Sequence, residues 1–365
     1  MTRTEDRLRA ALDDAAQTVA PDSLVPLTVP PRRRFTWMAP LAVAAALALV
    51  VFGVTTLIPK PSDEPDRTAF AGAPTHLLAI RKGQAVVLDG TGRKVADVPA
   101  AQGRYEGVAA TADRRTFFLA AAAGKDEYLL YRVEIAADGS PSRPRPLPGG
   151  AVRLAVHSFG SENGFAAAPD GSKVALVGLQ SHPRTTAVVI DARTGARRTW
   201  SAPGSGWIKS VSWSPDNRTL GFLWWDGQAL TKKATLRLLD TSRDGTDLLA
   251  SRPLRTIEVS GPGIPAHGEM NVFTFNPDGE TLTAQVQGAE YGPDDVPESA
   301  LAGLSARTGE PTGWTARLPV DSFFVKTDAS GNHFLQVDDG RLGRVDNGRF
   351  SWITKTHEEY EDASW

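Results

Sequence analysis

Residues able to do chemistry are sparse in this sequence, and their spacing fits no catalytic pattern. No Gly-x-Ser-x-Gly motif is present, so a serine hydrolase with a nucleophile elbow is excluded. The six histidines never occur four residues apart, as zinc-binding pairs on a helix do. The chain also has no cysteine for a thiolate ligand, a thiol nucleophile or a disulfide. We therefore expect no catalytic residues, no metal site and no cofactor.

The charged residues indicate neither a metal ion nor a nucleic acid as ligand. Asp294, Asp295 and Glu298 offer oxygen ligands that suit calcium, but no complete ligand loop surrounds them. A solvated acidic loop is therefore the preferred interpretation. The chain balances 40 Lys and Arg against 42 Asp and Glu, a net charge of -2, which gives no general attraction for nucleic acid.

Beyond residue 75 the sequence alternates apolar and polar residues with a period of two, which indicates β-strands. Short runs such as KVALVGL, LGFLWW and ATLRLLD are separated by turn residues, often by a Pro-Asp motif. The aspartates that anchor these turns, Asp113, Asp170, Asp216 and Asp278, are 57, 46 and 62 residues apart. Repeats of this length with about four strands each favour propeller blades. One or two β-sandwiches are the alternative.

The repeated patterns also resemble a known family. The turns Ala168-Pro169-Asp170-Gly171, Ser214-Pro215-Asp216-Asn217 and Asn276-Pro277-Asp278-Gly279, with later turns such as Asp191-Ala192-Arg193-Thr194-Gly195, approximate the patterns S-P-D-G-x-x-[LV]-[AG] and L-D-x-x-T-G. Over about 75–356 these copies resemble the propeller repeats of TolB-like and WD-repeat-like bacterial proteins. No Gly-His and Trp-Asp pair recurs, so the internal hydrogen bonds of true WD repeats are not implied. We expect an all-β propeller with six blades, at about 70–102, 103–148, 152–203, 205–260, 268–319 and 320–356. Seven blades remain open, because 141–165 is long enough to hold further strands.

Two long loops predict a binding rim on the propeller. Loops that join second to third strands emerge on the same face as loops that join successive blades, and 261–269 and 287–299 are of these two kinds. With the end of a fourth-blade strand they would bring together His267, Tyr291, Asp294, Asp295, Glu298, Trp224 and Trp225. Aromatic residues flanked by acids suit recognition of a peptide, a sugar or a protein. The alternative is that both tryptophans pack between blades and the loops are tolerated insertions.

A transmembrane helix is predicted near the amino terminus. Residues 35–59 contain no charged residue, and a helix of that length crosses the roughly 30 Å hydrocarbon core of a bilayer. A cleaved signal peptide fits less well, because 34 residues precede the apolar run and Lys60 lies between two prolines directly after it. A buried core helix is the other alternative, although such helices are rarely uncharged over this length.

The flanking charges give the orientation of this span. Arg32, Arg33 and Arg34 precede it, whereas acidic residues soon follow it. The positive-inside rule places residues 1–34 in the cytoplasm and everything after a linker at 60–74 outside. We therefore expect a single-pass protein of the cell membrane, in contact with the lipid bilayer, with a cytoplasmic amino terminus and an extracytoplasmic propeller.

The cytoplasmic part is predicted to contain a short amphipathic helix before its Pro/Arg tether. Leu8, Leu12, Ala15 and Val19 lie at spacings of four, three and four, which puts them on one helix face. A helix of this length is marginal alone in water, so the face suits a cytoplasmic partner. A loosely ordered tail that only sets the topology is the alternative.

The whole arrangement resembles a class of actinobacterial single-pass membrane proteins, some of which are linked to extracytoplasmic-function sigma factors. The resemblance implies a binding or sensory protein, and the lack of cysteine, of histidine clusters and of a nucleophile predicts that it is not an enzyme. Its propeller would meet an extracytoplasmic protein or cell-wall ligand, and its amino-terminal helix would contact a sigma factor. An exported scaffold or ligand-binding propeller without a signalling role is the alternative, and a propeller enzyme is less favoured. Residues 357–365 are expected to form a frayed acidic tail.

Overall fold

The structure, a computed structural model, describes eleven stretches of the chain. These are residues 74–156, 164–181, 184–226, 234–256, 258–265, 268–288, 298–318, 326–328, 333–338, 340–354 and 358–365. The chain divides into two compact units, Met1–Pro59 and Lys60–Trp365, and every described residue belongs to the second. The predicted membrane span, amphipathic helix and tether lie outside the described residues. Within those residues, no helix has the length and hydropathy needed to cross a bilayer.

The described residues are almost entirely strands and turns, with one short 3-10 helix at Leu248–Ala250. In chain order the strands are β1 (His76–Arg81), β2 (Gln84–Asp89), β3 (Lys94–Asp97), β4 (Arg104–Ala110), β5 (Thr116–Gly124), β6 (Glu127–Glu134), β7 (Arg145–Arg153), β8 (Phe165–Ala167), β9 (Lys173–Ser181), β10 (Arg184–Asp191), β11 (Arg197–Pro203), β12 (Trp207–Trp213), β13 (Thr219–Trp225), β14 (Ala234–Asp240), β15 (Arg252–Thr256), β16 (Glu258–Val259), β17 (Gly268–Phe275), β18 (Thr281–Gln287), β19 (Ser299–Ser305), β20 (Pro311–Leu318), β21 (Lys326–Thr327), β22 (His333–Asp338), β23 (Arg341–Asp346), β24 (Arg349–Trp352) and β25 (Tyr360–Ser364).

Within the described stretches these strands form six antiparallel sheets, five with four strands and one with five. We call them blade 1 (β25 and β1–β3), blade 2 (β4–β7), blade 3 (β8–β11), blade 4 (β12–β15), blade 5 (β16–β20) and blade 6 (β21–β24). The predicted all-β propeller class is therefore confirmed. Strand β7, which pairs with β6 in blade 2, occupies part of the stretch that left a seventh blade open.

The blades are arranged around a common axis. Their inner strands β25, β4, β8, β12, β17 and β21 contact one another in that order, and β22 of blade 6 contacts β25 again. One apolar cluster lies between each pair of neighbouring blades; the cluster between blades 3 and 4, for example, contains Trp200, Trp213 and Phe222. The hydrophobic core is therefore divided into the interfaces between successive sheets.

The ring closes through the carboxy-terminal strand. Strand β25 pairs with β1, with Leu78 opposite Ser364 and Ala79 opposite Ala363. The frayed acidic tail expected over 357–365 is thus wrong for the part that forms this strand: Asp362 is fully buried there. The error arose because the segment has too few apolar residues to indicate burial, whereas its acidic side chain is held by hydrogen bonds inside the ring.

The repeated aspartates hold the turns between the first and second strands of each repeat. In blade 4, Asp216 Oδ1 accepts hydrogen bonds from the backbone N–H groups of Arg218 and Thr219, at 2.8 and 3.0 Å. Asp113 and Asp278 accept the equivalent pair of bonds in blades 2 and 5. A carboxylate that binds the backbone two and three residues ahead stabilises a tight turn. We call the end of the ring that carries these turns the turn face.

Candidate functional site

A central cavity of about 330 Å³ opens at the turn face, where the inner strands end. Three of its lining residues are Pro169, Pro215 and Pro277, the prolines of the repeated Pro-Asp turns. Proline presets the backbone for the second position of such a turn. The motif that identifies the blades in the sequence therefore also supplies part of the cavity wall.

Aromatic side chains give this cavity its apolar character. Phe165, Trp213, Phe275 and Trp365 line it, and all four are buried. Within the described residues, the indole N–H of Trp213 has no hydrogen-bond partner. A buried donor without a partner costs on the order of 1–3 kcal/mol.

A buried ion pair stands beside the apolar wall. Lys326 on β21 also lines the cavity, and its Nζ donates to Asp362 Oδ1 at 2.9 Å and to the carbonyl oxygen of Val108. The other carboxylate oxygen of Asp362 accepts from the backbone N–H of Val108 at 2.8 Å. The network therefore joins the inner strands of blades 6, 1 and 2.

Burial shifts the pKa value of each ionisable partner in the direction that favours its neutral form. Removal from water lowers the pKa of the Lys326 ammonium, although the Asp362 carboxylate beside it acts in the opposite direction. Removal from water likewise raises the pKa of Asp362, against the hydrogen bonds and the ammonium that favour its charged form. Because the two groups are bonded to each other, we assign the pair to closure of the ring.

A second ion pair crosses the turn face above blade 1. Arg114 lies in the first turn of blade 2, and its Nη2 is 3.1 Å from Oδ2 of Asp328, which follows β21 in blade 6. The Asp328 side chain is fully buried. Strands β25 and β1 come from opposite ends of the described domain and share no connecting turn. The ion pair therefore links blades 2 and 6, which lie on either side of blade 1.

Most of the rim predicted from the long loops is not described. His267, Tyr291, Asp294 and Asp295 lie outside the described residues. Glu298 is exposed, and its carbonyl oxygen accepts a hydrogen bond from the N–H of Gly288 at 2.9 Å. The residues predicted for topology and for a cytoplasmic partner, Arg32, Arg33, Arg34, Leu8, Leu12, Ala15 and Val19, also fall outside the described stretches.

The two adjacent tryptophans at the end of β13 have different environments. Trp224 is buried in the cluster between blades 3 and 4, as the packing alternative proposed. Trp225 is half-buried and stacks on Trp207, with ring centroids 5.7 Å apart and an interplanar angle of 12°. The alternation of side chains along a strand accounts for this difference.

The central cavity is a feature that the sequence reasoning missed. The predicted rim lies on long loops, whereas the cavity lies among short turns at the other ends of the inner strands. One signal was available, because the prolines of Ala168-Pro169-Asp170 and its copies recur at one position of every complete motif. In a propeller, equivalent positions encircle the axis, so recurring prolines predict a common ring. In contrast, the sequence does not predict that Lys326 lines the cavity, because its position there depends on closure of the ring of blades.

Among the described residues, no group of three or more His, Cys, Asp or Glu side chains is arranged to hold a metal ion. No protein-family model and no curated protein matches the chain. Solved structures do match it. Hydrazine synthase from Kuenenia stuttgartiensis is 17% identical over 72% of this chain and 70% of that chain, with a TM-score of 0.45.

Two further solved structures among those that match the chain are similar in the same range. TolB from Acinetobacter baumannii is 13% identical over 84% of this chain and 67% of that chain, with a TM-score of 0.49. A chain of the nidogen/laminin complex is 13% identical over 79% of this chain and 92% of that chain, with a TM-score of 0.48. At these identities the similarity concerns the fold alone.

Proposed function

We propose that this protein is a membrane-anchored binding protein whose propeller lies outside the cytoplasm and receives an apolar ligand group in its central cavity. The observation that carries the proposal is the cavity itself. A volume of about 330 Å³ is at the lower end of the range for small-molecule sites, and its walls combine aromatic rings with prolines. This chemistry suits a small apolar ligand or the apolar tip of a larger one.

The same geometry favours binding over catalysis at this site. The charged groups at the wall, Lys326 and Asp328, are held in ion pairs with Asp362 and Arg114. An ammonium bonded to a buried carboxylate and to a backbone carbonyl is poorly placed to act as a nucleophile or a general base. The apolar wall is then the part of the cavity that contacts a ligand.

The proposed membrane anchor rests on the sequence. Residues 35–59 are uncharged, and Arg32, Arg33 and Arg34 precede them, which favours a cytoplasmic amino terminus and an extracytoplasmic propeller. Fractionation of a bacterial host that expresses the full chain tests this topology. We expect the protein in the membrane fraction, with a carboxy-terminal epitope digested by protease added to spheroplasts and an amino-terminal epitope protected. A soluble protein, or the reverse protection, would exclude the proposal.

A regulatory role for the cytoplasmic end is a further part of the proposal. The apolar stripe of Leu8, Leu12, Ala15 and Val19 supports a partner such as a sigma factor. The full chain should copurify with a sigma factor of its own host, and Leu12→Asp should abolish this. Gln17→Asp adds the same charge on the opposite helix face and should not. If copurification is absent, or if both variants behave alike, the protein is an exported binding propeller without this signalling role.

Photo-crosslinking in intact cells tests the cavity. Thr327 lines it and is half-buried, so a benzophenone amino acid at this position would lie at the wall. The same amino acid at Trp314, an exposed residue of β20, is the matched control. We expect a crosslinked product at position 327 that is absent at 314 and disappears in the Phe275→Glu background. Identical products at both positions would contradict the cavity as the binding site.

A further inference from the structure

A second cluster of aromatic and polar side chains lies on the face opposite the turn face. Strands β12 and β17 begin there, and β13 and β18 end there, so blades 4 and 5 both contribute. The cluster, which we call the indole platform, consists of Trp207, Lys209, Trp225, Glu269, Asn271 and Gln287. It is separate from the central cavity, whose lining includes none of these residues.

Two parallel indoles form the apolar part of the platform. Trp207 stacks on Trp225 at a centroid distance of 5.7 Å, and both residues are half-buried. The ammonium of Lys209 lies 5.4 Å from the Trp225 ring centroid, a cation–π distance. Within the described residues, the N–H of Trp225 is buried and has no hydrogen-bond partner. Such a donor is unusual in a folded protein.

A chain of polar groups runs beside the indoles. Lys209 Nζ donates to Asn271 Oδ1 at 2.7 Å, and Asn271 Nδ2 donates to Gln287 Oε1 at 2.8 Å. Both inner strands bulge at this contact. The register of β12 against β13 shifts between Ile208 and Val211, and the register of β17 against β18 shifts between Met270 and Val272. Bulges re-aim side chains, and here they bring an ammonium of blade 4 against an amide of blade 5.

These groups match the chemistry of a sugar ring. A pyranose has an apolar C–H face, which suits an indole, and hydroxyl groups at its edge, which need both donors and acceptors. The platform supplies an ammonium and amides as donors, and a carboxylate at Glu269, which is half-buried and lies opposite Gln287 in the sheet. We infer that the indole platform binds a pyranose residue of an extracellular polysaccharide.

The inference goes beyond the proposed cavity and does not depend on its occupancy. A purely apolar ligand is disfavoured at the platform, because it would cover Lys209, Asn271 and Gln287 without replacing their contacts with water. A cationic ligand is disfavoured by the Lys209 ammonium next to the indole. A hydroxyl-rich ring satisfies both the stacked rings and the polar chain.

A glycan array tests the inference with the full chain in lipid nanodiscs. The probe is an array of pyranose oligosaccharides, followed by calorimetric titration of the best-bound member. We expect Trp207→Ala to weaken that binding at least tenfold. Trp314→Ala removes an exposed tryptophan from blade 5 and should leave the affinity unchanged. The nearly isosteric Asn271→Asp keeps the acceptor for Lys209 but removes the donor to Gln287, and should also weaken binding at least tenfold.

The outcomes separate this inference from the proposed cavity function. Phe275→Glu, which places a charge in the central cavity and should abolish ligand crosslinking from position 327, should leave oligosaccharide binding unchanged. The inference is overturned if no oligosaccharide on the array binds, or if Trp207→Ala and Trp314→Ala have equal effects. Failure of cavity crosslinking with intact sugar binding would overturn the cavity function alone.

Discussion

The buried pair of Lys326 and Asp362 gives the sharpest test of how this ring is closed. Lys326→Met removes the ammonium and leaves a carboxylate buried between three inner strands. Asp362→Leu removes the carboxylate and leaves a buried ammonium bonded to the carbonyl of Val108. Removing one member of a buried ion pair costs about 3–5 kcal/mol, because the remaining charge loses its compensation. We expect each single variant to be destabilised by that amount.

The double variant distinguishes an ion pair from two independent contacts. With both charges absent, no uncompensated charge remains, although the N–H of Val108 loses its acceptor, at a cost of about 1–3 kcal/mol. The double variant should therefore be destabilised by at least about 2 kcal/mol less than the sum of the single variants, within the range of measured coupling energies. The thermodynamic cycle measures this coupling directly.

Thermal unfolding of the full chain in nanodiscs, followed by near-ultraviolet circular dichroism, is the assay. For a domain of this size, about 1 kcal/mol shifts Tm by roughly 2–4 °C, so each single variant should melt roughly 6–20 °C lower. Lys82→Met is the control, because its ion pair with Glu359 at 2.9 Å is solvent-exposed and contributes at most about 1 kcal/mol. Strict additivity in the double variant, or single variants no less stable than Lys82→Met, would refute the closure role.

Three further predictions concern the turns and the blade interior. Asp216→Ala should destabilise the propeller by about 1 kcal/mol more than Asp170→Ala in the same thermal assay, because Asp216 accepts several turn hydrogen bonds and Asp170 accepts one, from Ser172. Burial acts to raise the pKa of the Asp216 carboxyl group, but its hydrogen bonds outweigh burial and lower that pKa. The Asp216 carboxylate therefore stabilises the fold at pH values above its unfolded pKa of about 3.9, and this stabilisation is lost as the pH falls through the folded pKa. The decrease in Tm between pH 5 and 2 should therefore be smaller in Asp216→Asn. Gly178→Ala should cost about 1–3 kcal/mol in the same assay, because the added Cβ would overlap the carbonyl oxygen of Ala155. In contrast, an alanine at Gly313, a β20 residue with open space around it, is strained only by its backbone conformation.

The sequence predicts the repeated parts of this fold well, because the signals are local. The Pro-Asp turn at Asp216 is specified by four consecutive residues, and the structure shows why. The Asp216 carboxylate accepts hydrogen bonds from the backbone N–H groups two and three residues ahead of it. Alternating apolar residues also predict the strands between such turns. These signals repeat about once per blade, so even an imperfect copy indicates the propeller.

The binding features are less predictable, because they join distant and unlike residues. Trp225 is visible in the sequence as part of an aromatic strand end, but its partner Trp207 comes from another strand and carries no motif. Lys326 and Asp362 form their pair only after the ring has closed. Sequence reasoning recognises buried residues by their hydrophobicity, and it therefore overlooks a strand whose buried side chain is a paired carboxylate.

The position of the closure charges follows from the one blade that lacks a covalent first turn. In blades 2, 4 and 5, an aspartate holds a turn that joins the inner strand to the next one. Blade 1 has no such turn, because β25 and β1 meet from opposite ends of the domain. Without that link, only noncovalent contacts resist separation of its inner strand, and apolar packing alone does not fix its register, since sliding by two residues keeps the same faces buried.

Directional bonds remove this ambiguity. Asp362 accepts from the N–H of Val108, and Ser364 accepts from that of Ala110, so two side chains on one face of β25 match two amides of β4. The same spacing recurs where Ser210 and Ser212 accept from the amides of β17. At blade 1, however, the first of the two acceptors is a carboxylate, and its charge requires Lys326. The cost of burying this pair is therefore explained by the specificity it gives to the closing strand, which apolar residues of similar volume would not provide.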